Sequence, residues 1–312
     1  MSTASDLPPG CEGSADGESP PATIGILSPG QMGSGLGRAW QQRGVRVLTT
    51  VAGRSTRTRR LAAGLEILPS LADVVAQAEV IVSIGPPEHA IVMAASVVEC
   101  CRQVGRRPIV ADFNAIAPHT VQLISDQVAA AGCELVDGSI SGPPPGTSTS
   151  TRLYLSGPAA PRLAGLAAPG LTTHLVGNRA GAASAIKMCT SSVYKGFTAL
   201  TLQALLTARA HDVCDPVLAD LREVFGTVMS DPARRIAVGA AKSDRYRAEM
   251  LEIAETQRRA GAQAALFEAM ARVFEFVCRS ELASRTPEEA GGLTDLEHVL
   301  AELGRRADIA NV

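Results

Sequence analysis

The chain has 312 residues, with 29 basic and 31 acidic side chains and a formal net charge of -2, a balance that excludes the basic footprint of a nucleic-acid binder and a polybasic membrane patch. With 46% hydrophobic and 19% charged residues, the composition is globular and the length suffices for two domains. Only three of the basic residues are lysine (Lys187, Lys195 and Lys242) and the other 26 are arginine, so each lysine raises the question of whether an amine is needed there.

Cys11, Cys100, Cys101, Cys133, Cys189, Cys214 and Cys278 show no C-x-x-C or metal-ligand spacing. A disulfide framework and a structural metal are therefore not expected, and a reducing, cytoplasmic setting is the simple expectation. No long charge-free apolar run suits a membrane span, and the N-terminus lacks the pattern of a secretory signal.

Residues 1–21 are rich in Ser, Pro, Gly, Asp and Glu and read as a disordered lead. Thr23–Ser28 is an apolar run closing on a Pro-Gly turn, followed by a helical segment from Met32 to Arg43. Strand-like runs recur at Val45–Val51, Leu65–Leu68, Glu79–Ile84, Pro108–Asp112 and Cys133–Asp137. Helical segments separate them at Arg54–Ala63, Leu71–Gln77, His89–Arg102 and Thr120–Ala131. This alternation predicts right-handed β-α-β units and a doubly wound parallel sheet. Arg152–Ser156 and Thr172–Val176 add two short strands. After Gly181 the pattern turns helical, with breaks near Pro216, Pro232, Gly261 and Thr286–Gly292. The expected fold is α/β: a doubly wound sheet domain over 22–176, then an all-α domain over 177–312.

The first strand runs into Ser28-Pro29-Gly30-Gln31-Met32-Gly33. A dinucleotide fold needs a tight turn here, so that a pyrophosphate reaches the backbone and the N-terminus of the next helix. Ser28 stands where G-x-G-x-x-G has its first glycine, and Gly30 and Gly33 are kept; with Gln31 and Met32 these are the candidate cofactor residues. The end of the second strand selects the cofactor. It carries no acid but Arg54, Ser55 and Arg57, whose forks and hydroxyl suit a 2'-phosphate. The expected cofactor is NADP, with Ile84 and Pro86 after the fourth strand and Asn114 after the fifth completing its site.

These residues resemble a known family. Ile24–Gly33, Asp112-Phe-Asn114, Asp137-Gly-Ser-Ile-Ser-Gly142 and Gly181-Ala-Ala-Ser-Ala-Ile-Lys187 look like the β-hydroxyacid dehydrogenase superfamily, which includes 6-phosphogluconate dehydrogenase. Leu-Ser-Pro-Gly-Gln-Met-Gly, Ser-Gly-Pro-Pro-Pro and Glu-Met-Leu-Glu-Ile-Ala resemble a branch with a C-terminal domain of unknown function. The resemblance implies hydride transfer between NAD(P)H and a carbonyl or hydroxyl carbon of a small molecule. It implies that 22–176 is a Rossmann domain, that the all-α domain begins with a long interdomain helix, and that a homodimer forms through the C-terminal helices, for which 262–283 has the apolar spacing. It assigns the family lysine to Lys187, the substrate loop to Ser141 and Gly142, and a polar site residue to Asn114.

The residues support that assignment independently. On a helix starting near Gly181, Ser191 and Tyr194 fall on the face of Lys187, while Lys195 lies about 80° away. Burying an unpaired ammonium is costly, and desolvation brings a lysine toward a range useful for proton transfer; arginine does not release its proton. Lys187, Ser191 and Tyr194 are the catalytic candidates, with Lys195 in reserve on the substrate side beside Asn114, Ser141 and Gly142. The family's asparagine four residues after the lysine is Ser191 here, and a later family lysine aligns with Glu249. Pro143, Pro144 and Pro145 follow Gly142 and lack N–H donors, which weakens carboxylate recognition by that loop. An imine reductase using Tyr194, or a non-catalytic NADP-binding protein, are the alternatives. No P-loop, H-E-x-x-H motif or metal-ligand pattern is present.

Overall fold

A computed structural model of the chain describes residues 21–146 and 150–304. The lead expected over 1–21 lies outside the described residues, apart from Pro21. The chain divides into two units, 1–188 and 189–312.

The first unit is built on one sheet of eight strands: β1 Thr23–Ile26, β2 Arg46–Thr49, β3 Glu66–Ile67, β4 Val80–Ser83, β5 Ile109–Asp112, β6 Glu134–Ser141, β7 Thr151–Ser156 and β8 Leu171–Leu175. The spatial order is β3-β2-β1-β4-β5-β6-β7-β8. Pairing is parallel through β6, antiparallel between β6 and β7, and parallel again between β7 and β8. The helices between strands are α1 Gln31–Gln41, α2 Thr56–Leu61, α3 Leu71–Gln77, α4 Ala90–Val104 and α5 Pro118–Ala130.

Successive strand residues point to opposite faces, and the sheet carries a core on each. Ile24, Ile26, Val80 and Val82 join Leu36 and Trp40 of α1. Ile81, Val110 and Leu135 join Val74, Val97 and Ile124 of α3, α4 and α5. Trp40 is fully buried, and its ring N–H is satisfied by the Leu166 carbonyl at 3.1 Å.

Two differences from the sequence reading concern β6 and β7. β6 runs to Ser141, four residues beyond the expected end at Asp137. A Cβ on Gly138 would fall 2.2 Å from the Phe113 ring; it is a strand glycine that makes room for an aromatic neighbour. The sheet is also not wholly parallel. Among the described residues no helix separates β6 from β7, and the chain turns at Gly142, whose φ of +113 is a conformation open to glycine.

The helices after the sheet are α6 Ala182–Ala210, α7 Cys214–Phe225, α8 Pro232–Ala240, α9 Ser243–Arg259, α10 Ala265–Val277, α11 Pro287–Ala290 and α12 Leu296–Gly304. The unit boundary falls inside α6, after Met188, rather than at the expected 176/177. The second unit has its own core, with Leu202, Leu205, Met229, Ile236, Val277, Leu282 and Leu300 at its centre.

Candidate active site of the first unit

Order reversal in the sheet occurs at β1, whose neighbours are β2 and β4. In such sheets ligands bind in the crevice beyond the strand ends at this point. The turn from Ser28 to Gly33 lies there. Gly30 N–H donates to the Ser28 carbonyl at 2.7 Å and Ser34 Oγ to the Pro29 carbonyl at 2.6 Å, which fixes the turn. A Cβ on Gly33 would sit 2.5 Å from the Ser28 oxygen, so helix and strand end approach as only glycine permits. Gly30 is the N-cap of α1 and supplies no side-chain cap, and the first turn holds no acid, leaving a helix N-terminus suited to an anion. Ser28 Oγ is buried and has no hydrogen-bond partner among the described residues. A buried hydroxyl left unpaired is costly, and a dinucleotide in the crevice gives it one. The residues present fit the cofactor.

Leu27, Thr50, Ala52, Gly53, Arg54, Leu71, Met93 and Ser96 line a cavity of about 350 Å³ beside this turn. The Arg54 guanidinium reaches back to the Leu27 carbonyl at 3.1 Å. Ser55 caps α2, accepting from Thr58 N–H at 3.3 Å. Arg54, Ser55 and Arg57 are all exposed, so the structure brings Arg54 to the cavity wall and sets Ser55 and Arg57 just beyond it along the chain.

On the other side of the turn, Ile84 and Pro86 follow β4 and Asn114 follows β5. Asn114 is 2% exposed and its amide is heavily engaged. Nδ2 donates to Asp112 Oδ2 at 2.8 Å and to Ser83 Oγ at 2.9 Å, and Oδ1 accepts from Gly85 N–H. Both amide hydrogens are thus committed within the protein, and Asn114 acts as a clamp that joins the ends of β4 and β5. Its anchor is Asp112, which also accepts the Asn114 backbone N–H at 3.0 Å. Burial, more than the opposing charge of Asp137, pushes the Asp112 carboxyl up to about 7.

Lys187 lies on α6 one turn after the residues that tie the helix to the sheet. Its Nζ donates to the Ile140 carbonyl of β6 at 2.6 Å. Ser141 is the next residue of that strand, and the loop after it packs on α1, where a Cβ on Gly35 would meet Pro144 at 3.0 Å. The structure therefore gathers Lys187, Ser141 and Gly142 at the C-terminal end of β6. Sequence reasoning missed Asp112, Asp137 and Ser83, although the places of Ser83 and Asp112 at strand ends were a usable signal.

The remaining candidates belong to the second unit. Ser191 is 4% exposed, Lys195 8% and Tyr194 63%. The Lys195 ammonium is engaged by Glu249, which also pairs with Arg245 at 2.9 Å, and it lies 5.1 Å from the Tyr246 ring centroid. Lys242 precedes α9, and burial lowers its ammonium below the usual range, with Arg245 adding to the effect. Among the described residues no cluster of His, Cys, Asp and Glu is arranged to hold a metal, and no helix is long and apolar enough to cross a membrane. Burial and the neighbouring Cys133 raise the Cys101 thiol to about 12, which fits a packing role.

Residues 23–163 match the NAD binding domain of 6-phosphogluconate dehydrogenase, and residues 208–277 match a domain of unknown function, DUF1932. An uncharacterised 28.5 kDa protein of Methanothermus fervidus, from the 7S RNA 5' region, is 27% identical over 242 residues, 75% of this chain and 89% of that protein. A conserved protein whose structure reveals similarity with 3-hydroxyacid dehydrogenases is 26% identical, with a TM-score of 0.61 over 86% of this chain and 99% of its own. The 3-hydroxyisobutyrate dehydrogenase of Mycobacterium tuberculosis has the same fold, with a TM-score of 0.60 at 18% identity over 91% of this chain and 99% of that one. With both domain models matched in order along a Rossmann sheet and a helical second unit, the chain pairs an NAD binding domain of the 6-phosphogluconate dehydrogenase type with the domain of unknown function, which matches the superfamily branch that its sequence resembles.

Proposed function

We propose that the chain is an NADPH-dependent oxidoreductase in which Lys187 is the general acid/base for hydride transfer to a carbonyl carbon of a small molecule. The observation that carries this reading is the Lys187 Nζ held at the Ile140 carbonyl, in the same unit as the dinucleotide turn. NADPH supplies the hydride; the protein binds it and moves a proton. The α1 N-terminus and Ser28 would hold the pyrophosphate region, and Arg54 with Ser55 and Arg57 would receive the 2'-phosphate. Lys187, released from its carbonyl partner when substrate enters, donates the proton to the forming alkoxide and takes it back in the reverse direction.

Lys187→Met separates the roles. Turnover of a panel of ketones and aldehydes is expected to fall at least about 100-fold, with NADPH affinity kept; unchanged turnover refutes the assignment. Reduction of C=N substrates that survives Lys187→Met and is lost in Tyr194→Phe favours the imine reductase. Binding of NADPH without its oxidation across both panels favours a non-catalytic role.

The setting is a reducing, cytoplasmic one and the working form a homodimer. On α10, Met270, Phe274 and Val277 are buried within the chain while Leu266 and Phe276 are 53% and 37% exposed. The latter two are the part of that helix a second copy would cover, and a monomer by light scattering excludes it.

A further inference from the structure

We infer that Asp137 is a positioning residue for Lys187, a role that rests on the proposed function of that lysine. Asp137 lies on β6 and is fully buried. Its two carboxylate oxygens accept four hydrogen bonds. Oδ2 takes the N–H of Gly181 at 2.8 Å, the N–H of Ser184 at 3.1 Å and the Oγ of Ser156 at 2.8 Å; Oδ1 takes the Oγ of Ser184 at 2.6 Å. Ser156 Oγ in turn accepts the Ala183 N–H at 3.1 Å. Three backbone N–H groups at the start of α6, which the helix itself cannot satisfy, are thus bound by two side chains from the sheet.

The consequence falls on Lys187. It follows Ser184 by three residues, so the two share a helix face. Its amine meets the carbonyl of Ile140, three residues beyond Asp137 on the same strand. One strand therefore grips one helix face at two points, a carboxylate at the first turn and a carbonyl at the second. A helix held only by apolar packing can rotate or slide by fractions of an ångström, whereas three hydrogen bonds from its first turn to one carboxylate, itself held by Ser156 of β7, fix both its phase and its height. An aspartate is required because the groups facing it are all donors, and the negative charge also suits the helix N-terminus. An asparagine would turn a donor toward them.

The test uses the full chain and the variants Asp137→Asn and Ser184→Ala. The second removes a single hydroxyl and keeps the carboxylate. Because only three lysines occur, [ε-13C]lysine labelling gives three resonances, which Lys→Arg variants assign. The Lys187 resonance is expected to move in both variants while that of Lys242 stays; this readout does not need a substrate. An unmoved Lys187 resonance in folded Ser184→Ala and Asp137→Asn protein, or in Ser184→Ala alone if the other variant does not fold, overturns the inference. Where turnover is measurable, kcat is expected to fall about 100-fold in Asp137→Asn, as for misplacement of a reacting group by about 1 Å, with KM for NADPH unchanged. In the Lys187→Met background the same substitution is expected to do nothing further. Independent, multiplying losses would show a merely structural role and overturn the inference. Absence of turnover in the wild-type chain, with a displaced Lys187 resonance in the variants, counts against the proposed function and not against the positioning.

Discussion

Replacing Glu249 with Gln keeps the shape of the second unit and removes one charge. Glu249 is 2% exposed at its side chain and Lys195 11%, so the pair sits almost wholly away from water. The substitution leaves an ammonium there without its counter-ion, and breaking such a pair from one side costs about 3–5 kcal/mol. The other arm of Glu249 goes to Arg245, whose side chain is 53% exposed; losing an exposed pair contributes under about 1 kcal/mol. The Tyr246 ring at 5.1 Å keeps some attraction for the ammonium, worth about 1–2 kcal/mol at a desolvated site, and holds the total toward the lower end. The expected loss is therefore about 3 kcal/mol of unfolding free energy, read by urea denaturation with helical circular dichroism and an unchanged m value. The double variant Lys195→Met with Glu249→Leu is expected to unfold within about 1 kcal/mol of the wild type or above it, because neither charge is then buried. A Glu249→Gln protein as stable as the wild type refutes the reasoning, since it means that Lys195 reaches water in solution.

Arg54→Ala is expected to weaken NADPH binding by about 10- to 100-fold, the worth of a charge-assisted hydrogen bond, with NADH binding little changed. Parallel titrations of cofactor fluorescence check it, and equal losses for both cofactors refute the 2'-phosphate role. Asp112 makes a prediction about pH. Its folded value of about 7 lies above the unfolded value of about 4, so the folded chain keeps the proton that the unfolded chain releases. Stability therefore falls as pH rises from about 4 to about 7 and this contribution levels off above that window. The whole span is worth about 4 kcal/mol, and Asp112→Asn is expected to flatten the slope in unfolding curves taken at pH 5, 6 and 7.

The sheet was legible because β-branched runs and Gly-Pro punctuation recur with helical segments between them; α3 begins and ends at Leu71 and Gln77 as the spacing predicts. What failed was local. The strand expected to end at Asp137 continues to Ser141, and Gly138 within it makes room for the Phe113 ring, a contact that no one-dimensional pattern carries. The dinucleotide turn was legible because its chemistry is backbone chemistry, and the backbone demands glycine at fixed places. The carboxylates behind the site were not. Asp112 and Asp137 are directly opposed across β5 and β6, but their roles depend on Asn114 in one case and on Ser184, 47 residues away, in the other. A side chain that works through a distant partner leaves no spacing to read.

The scarcity of lysine gains a physical meaning from burial. None of the arginines among the described residues is buried, and most are exposed. The lysines are the reverse: Lys195 is buried and Lys187 and Lys242 are half-buried. A guanidinium keeps its charge in nearly any surroundings, so an arginine-rich surface stays solvated and ionised. An ammonium on a flexible stem is more responsive, because partial burial shifts its proton affinity. The three sites draw on that property differently. Glu249 supplies Lys195 with a counter-charge, Arg245 adds its charge to burial in lowering Lys242, and Lys187 is given a neutral carbonyl. Lys242 is the one whose ammonium burial lowers, whereas Lys187 is placed by its carbonyl contact at the end of β6, where the proposed proton transfer would occur.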